Sequence, residues 1–208
     1  MQAGQKLKGS DGKEVMLFPL SYMYMSQDEG GDTSHVGTYN MDFLGWDANG
    51  RVYECPYYAP CRCKLVVRSG TNDYNVWEST DVVHTPIGLT KVCFLVAHDN
   101  NLPYSVGKIL NQGDLLGHTG QSGYATGDHL HLNIATGTYQ GQEQVPPNNN
   151  WQLVNSQHIY NMVYVNGTTI VQGYNHDWQE YSSTYTPFKH NFPWVLYSKK
   201  LRDNHKNR

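Results

Sequence analysis

The chain has 208 residues, of which 16% are charged and 12% aromatic, a length suited to one domain with a single sizeable core. Abundant tyrosine with few charges argues for a folded, strand-rich protein and against a disordered one. The formal charge of −3 is unevenly spread: 199–208 holds five Lys or Arg and only Asp203, leaving ten basic against seventeen acidic residues over 1–198, which excludes a general nucleic-acid binder.

Along the chain, the first 25 residues lack the uninterrupted apolar core of a secretory leader, so no signal peptide is expected in this chain. Nor is there an apolar run of about 18 residues, so no membrane span is expected. Gly, Asn, Asp and Pro then recur at short intervals between runs of β-branched and aromatic residues. Strands are predicted at Met16–Leu20, Met41–Leu44, Arg51–Glu54, Cys63–Ser69, Tyr74–Glu78, Val92–His98 and His129–Ala135. Asp47-Ala48-Asn49-Gly50 reads as a turn between two of them. The stretch from Gly107 to Gly127 has a glycine every three to six residues, the mark of short strands joined by tight bends.

After Gly137 the pattern changes. Val145–Asn150 reads as a loop, and Ser156 is placed to cap a short helix with Ile159, Met162 and Val163 on one face. Val163–Val171 is predicted as a hairpin turning at Asn166-Gly167. The expected fold is mainly β: one antiparallel-sheet domain over 1–140, with 141–198 as a C-terminal extension (short helix and hairpin) packed on it. The basic tail 199–208 is read as solvated. Cys55, Cys61, Cys63 and Cys93 lack zinc-ribbon spacing and read as small buried strand residues, a Cys55–Cys61 disulfide remaining open.

The chemistry concentrates at His129-Leu130-His131. In a strand these two imidazoles project from one face with Cα atoms roughly 6.5–7 Å apart. A second cluster is Ser34-His35 with Asp42 seven residues on. Those two share a metal only if the chain bends between them, and Gly37-Thr38 is a suitable place. His35, Asp42 and one of His129 or His131 make a two-histidine, one-carboxylate set with room for water, the composition of a catalytic zinc site. His98 closes the hydrophobic run Val92–Ala97, where a functional side chain sits at the end of a sheet floor.

In this order the pieces resemble the lysostaphin/LytM-like (M23 family) zinc metallopeptidases, which cut peptidoglycan peptides. The resemblance covers roughly residues 30–136. It rests on His35 with Asp42, on Tyr58-Ala59-Pro60 followed by Lys64-Leu65-Val66-Val67, and on Val96-Ala97-His98. The glycine-punctuated run from Val106-Gly107 through Gln112-Gly113-Asp114 to Gly127-Asp128-His129-Leu130-His131 completes it. It implies a LytM-type β domain forming a substrate groove, one Zn2+ per chain on His35, Asp42 and His131, and a catalytic pair of His98 and His129. The seven-residue His-to-Asp spacing departs from the four found in many members and is similar to a phage-type subgroup. The implied protein is a peptidoglycan endopeptidase, tail-associated or lytic, extracellular or virion-borne, with wall peptides and other phage tail or lysis proteins as partners.

Two other readings stand beside it. One is a metal-free or degenerate LytM-like module that binds walls or builds the virion. The other is a D-Ala-D-Ala carboxypeptidase-like zinc peptidase, echoed by Ser34-His35 and Asp42 but lacking the Glu-x-x-His that such enzymes need. Of the remaining histidines, His118 reads as a loop residue, and His84, His158, His176, His190 and His205 as surface or packing residues. Asp99 either orients a ring or ends a strand. Gln27, Tyr24, Tyr39, Tyr57, Tyr58 and Tyr124 are candidates for lining the groove, with aromatic packing the simpler role for most tyrosines.

Overall fold

A computed structural model describes residues 1–69 and 74–182 and the backbone of 188–189; the expected tail 199–208, with His190 and His205, lies outside the described residues. The architecture is mainly β, built on one nine-stranded sheet. Its strands in chain order are β1 (Tyr22–Gln27), β2 (Met41–Leu44), β3 (Cys63–Arg68), β4 (Tyr74–Ser79), β5 (Val92–Ala97), β6 (Ile109–Leu110), β7 (Leu130–Thr136), β8 (Ser156–Gln157) and β9 (Thr169–Gln172). Across the sheet they run β6-β3-β4-β5-β7-β2-β1-β9, with β8 pairing the end of β7. All neighbours are antiparallel except β1 and β9, which are parallel, so the sheet is mixed.

Period-two alternation decides what each face carries. On β5, Val92, Phe94 and Val96 enter the main core, while Cys93, Leu95 and Ala97 belong to a smaller cluster on the opposite face. On β7, Leu130, Leu132 and Ile134 likewise face the main core, as do Met41 and Phe43 on β2. Met16, Phe18 and Leu20 cover this core from outside, joined by Met162, Val163 and Trp178 from the C-terminal segment. Burying side chains of this size is worth about 1.5–3 kcal/mol each. The opposite face, at the centre of the sheet, forms the floor of an open groove.

Several expectations shift. Met16–Leu20 is buried but makes only one isolated bridge, Leu17 with Tyr164; β1 lies just beyond it. Of Arg51–Glu54 only Arg51 is strand, closing the hairpin of Trp46–Asp47 with Gly50–Arg51. The helix after Ser156 is a single 3-10 turn, Ile159–Asn161, whose N-cap is His158; Ser156 instead lies in β8. The predicted apolar set is right, for Ile159, Met162 and Val163 are all buried. Val163–Val171 is not a hairpin: Thr169–Gln172 crosses to pair in parallel with β1. The extension's hairpin is Gln142–Val145 with Asn150–Leu153, spanning the expected loop. The four cysteines are free and buried, and burial pushes their thiols up, Cys93 to about 12.

Candidate metal centre

Strand register brings three of the five chemical side chains together. His131 pairs with Ala97 on one side and Asp42 on the other, so β5, β7 and β2 stand side by side at this level. Residues 129 and 131 share the groove face because Leu130 takes the core face, and Asp42 shares it because Met41 and Phe43 do the same. His131 Nδ1 is 2.9 Å from Asp42 Oδ1, and His129 Nε2 is 3.5 Å from Asp42 Oδ2.

The other two arrive from loops. His35 is fully buried in the segment between β1 and β2, and the chain does bend where the seven-residue spacing requires it. Thr38 N and Oγ1 both donate to the His35 carbonyl, and Gly37 adopts φ +81°. A Cβ at Gly37 would also lie 2.3 Å from the Pro146 carbonyl oxygen, so a side chain is excluded there. His35 Nε2 thereby comes to 3.3 Å from Asp42 Oδ1.

His98 breaks the alternation of its strand. By parity it would follow Val92, Phe94 and Val96 into the core, yet it takes φ +75°, a left-handed conformation uncommon for a residue with a Cβ, and turns its ring into the groove. Its ring centroid lies 4.6 Å from that of His129 and 5.8 Å from that of His131. The turn is laced to the segment 118–122. Ser122 N donates to the His98 carbonyl, Gln121 N to Asn100 Oδ1, and His118 N to Asp99 Oδ2. Asp99 therefore holds backbone and orients no ring. Gly120 passes so close that a Cβ would lie 2.1 Å from the His98 carbonyl oxygen.

Backbone carbonyls set the tautomers. Carbonyls only accept, so the Nδ1 atoms of His35, His98 and His129 donate to Asp28 O (3.0 Å), Ser122 O (2.8 Å) and Gly127 O (2.7 Å). In the neutral rings Nε2 is then a bare acceptor. His35 Nε2 is buried without a hydrogen-bond partner and faces a carboxylate oxygen, which is also an acceptor. Converging acceptors repel unless a cation lies among them. Ligand atoms around a tetrahedral zinc with bonds of about 2.0–2.1 Å sit about 3.3–3.4 Å apart, which the His35–Asp42 separation matches. The donor atoms of His35, Asp42 and His131 all lie within 4.8 Å of one another, and so do those of His98, His129 and His131. The residues therefore fit a metal, with His131 common to both sets.

Electrostatics agree. Burial alone would raise the Asp42 carboxyl, but the hydrogen bond from His131 Nδ1 and the electrostatic influence of the neighbouring His131 and His35 rings outweigh it and hold the group well below the usual carboxylate range. Burial, then the neighbouring His131 and His129, pushes the His98 imidazole down to about 4 against the Ser122 carbonyl and Asp42. Burial also lowers His131, with Asp42 opposing. Asp128 steadies the approach to β7: its carboxylate accepts from Thr119 Oγ1 (2.7 Å) and the Glu54 amide (3.0 Å) and lies 3.6 Å from Arg51.

No protein-family model matches the chain. It is 41% identical over 175 residues to Morphogenesis protein 1 of Bacillus phage B103, an alignment covering 83% of this chain and 46% of that protein. The chain thus spans about half the length of this relative. Among solved structures, a zinc-containing peptidase from Vibrio cholerae has a TM-score of 0.45 at 16% identity, covering 73% of this chain and 46% of that one. The catalytic domain of lysostaphin from Staphylococcus simulans has 0.38 at 18%, covering 67% and 84%. A point mutant of the catalytic domain of the prophage-encoded M23 protein EnpA from Enterococcus faecalis has 0.43 at 18%, covering 68% and 94%.

The groove above the centre has a volume of about 950 Å³. Of the expected lining residues, Gln27 and Tyr124 are there, Tyr124 almost wholly exposed. Tyr24 instead stacks on Trp46, and Tyr57 is core. Tyr58 packs against the N-terminal apolar cluster, and Tyr39 packs edge-on against His158. Sequence reasoning missed Asp28, Asn40, Tyr74, Trp151 and Tyr174, which reach the groove from four segments. No local pattern marks them, since only the tertiary fold brings those segments together. His118 makes its interaction through its backbone, while His84 contacts Asp11, His158 contacts Glu29 and His176 contacts Asp28. Among the described residues no helix is long and apolar enough to cross a membrane.

Proposed function

We propose that this chain is a zinc-dependent peptidase that hydrolyses peptide bonds of bacterial peptidoglycan as part of a bacteriophage particle or lysis system. The observation carrying this reading is the convergence of bare acceptors, His35 Nε2 and the Asp42 carboxylate, with His131 at the floor of an open groove. His35, Asp42 and His131 would hold the ion, leaving His98 and His129 free on the adjoining side. Zinc there supplies Lewis acidity toward a carbonyl and acidifies water toward a pKa of about 7. The ordered motifs shared with lysostaphin/LytM-like enzymes support wall peptides as substrate, and the name of the phage relative, a morphogenesis protein, supports a phage-borne role.

The chain's own residues divide the work by tautomer. With Nδ1 bound to carbonyls, His98 and His129 each offer a neutral Nε2. A neutral imidazole accepts a proton from water and, once charged, donates to the developing oxyanion or the leaving amine. The low His98 basicity keeps it in the accepting form at neutral pH. Asp42 Oδ2, 3.5 Å from His129 Nε2, faces that ring with an opposite charge once it has taken up a proton. The groove, lined in part from β5, β7 and β2, would take the peptide substrate. The test is elemental analysis of the purified protein, followed by mass spectrometry of wall digests. One zinc per chain, with muropeptide cleavage abolished by chelation and restored by zinc, is the expected result. A zinc-loaded protein that leaves every wall type uncut would overturn the peptidase reading.

A further inference from the structure

His35 is the only proposed ligand carried by irregular backbone, so something outside the sheet must fix it. Its segment, 28–40, lies against the C-terminal segment 142–178, which falls beyond the stretch of family resemblance. Three groups of hydrogen bonds hold it. Asn150 Nδ2 donates to the carbonyls of Thr33 (2.8 Å) and Val36 (3.1 Å), on either side of His35. Gln152 Oε1 accepts from the Tyr39 amide (3.2 Å), while Asn40 Nδ2 donates back to the Trp151 carbonyl (2.9 Å). At the start of the segment, His176 Nε2 donates to Asp28 Oδ1 (2.8 Å) and His158 Nδ1 to Glu29 Oε1 (2.7 Å). The two histidine rings sandwich Tyr160, at centroid distances of 4.5 and 5.0 Å. The residue so anchored, Asp28, is the one whose carbonyl accepts from His35 Nδ1.

We propose that the C-terminal segment is a clamp that positions the His35 ligand, with Asn150 and His176 as its positioning residues. Both ends of the loop are fixed from outside it, so ring orientation at His35 depends on residues more than a hundred positions away. A hydrogen bond that orients a ligand is worth about 10–100-fold in metal affinity, which sets the size of the effect. The proposal rests on the zinc reading above.

The variants are Asn150→Ala and His176→Phe, the second keeping a ring against Tyr160 while removing the donor to Asp28. Two measurements are made on each: zinc affinity by chelator competition, and amide hydrogen exchange over 28–40 in the metal-free protein. Expected are a loss of zinc affinity of about tenfold or more and faster exchange confined to 28–40, with the melting temperature nearly unchanged. Zinc affinity within twofold of wild type together with unchanged exchange overturns the clamp. If the wild-type chain itself binds no zinc, the metal reading fails, and exchange over 28–40 alone decides the clamp: faster exchange in the variants supports it, unchanged exchange overturns it.

Discussion

The sheet floor and the two loop-borne histidines solve the same placement problem in different ways. Asp42 and His131 are aligned by ladder register, with Leu130 paired to Phe43 and His131 to Asp42; His129, one residue before β7, shares their face by alternation, its backbone bridged to Gly120. His35 and His98 have no such register. One relies on a bent loop braced from outside, and the other on a left-handed residue at a strand end held by hydrogen bonds to 118–122. Register is cooperative with the fold, because slipping it by one residue would turn core residues outward. Loop placement is locally adjustable. A site built both ways has a fixed floor and tunable walls.

The sharpest way to break the comparison is at the floor. His131 belongs to both donor sets, so His131→Ala is expected to abolish zinc binding and reduce wall cleavage to background. The fold should persist, because Leu130 and Leu132 remain in the core. Zinc content and circular dichroism on one sample check this; full zinc occupancy in the variant would mean the ion is held elsewhere. A smaller effect is expected at the wall. His98→Asn keeps a side chain that tolerates positive φ but lacks a base, and should cost about a hundredfold in kcat with zinc retained. If zinc were lost along with activity, His98 would belong to the ligand set and the division between floor and wall would be misdrawn.

Gly120 tests the backbone behind the catalytic pair, since it abuts the His98 carbonyl and bridges His129 without contributing a side chain. Adding a methyl forces the His98 carbonyl to move, since the new Cβ would lie 2.1 Å from its oxygen. Gly120→Ala is expected to lower kcat by about tenfold or more, as sub-ångström to ångström misplacement of a catalytic group does. Zinc affinity should be unchanged. Equal losses in zinc affinity and kcat would show that the turn supports the whole centre rather than His98 alone.

The same division explains what could be read from the chain. Floor residues were legible because alternation is written in neighbours: Leu130 between two histidines, and Met41 and Phe43 around Asp42. His98 was legible as the end of an apolar run, but its φ was not, since parity alone points it into the core. The bend at Gly37-Thr38 followed from the spacing of His35 and Asp42. Its bracing by Asn150 and Gln152 did not, because those contacts span more than a hundred residues and leave no periodic trace. For the same reason Asn166-Gly167 suggested a hairpin, while the following strand found its partner in β1, far earlier in the chain.

Acid stability gives the finest test of the wall. In the metal-free fold His98 is held neutral down to a pKa of about 4, against an ordinary histidine value of 6.5. As pH falls through 6.5 the unfolded chain takes up a proton that the folded chain refuses, so stability falls with pH until about 4, where the folded form also protonates. Burial of His131 acts in the same direction. Asp42 adds its own loss below the usual carboxylate pKa, because its depressed folded value contributes stability only while the carboxylate is ionised. The His98 share is at most about 1.4 kcal/mol per pH unit within this window. Urea unfolding of chelator-treated wild type and His98→Asn between pH 7 and 4.5 isolates it: the wild-type curve should fall more steeply by up to that slope. Parallel curves would mean that His98 titrates in the fold as it does in the open chain, and that the wall is more solvated than its buried ring indicates.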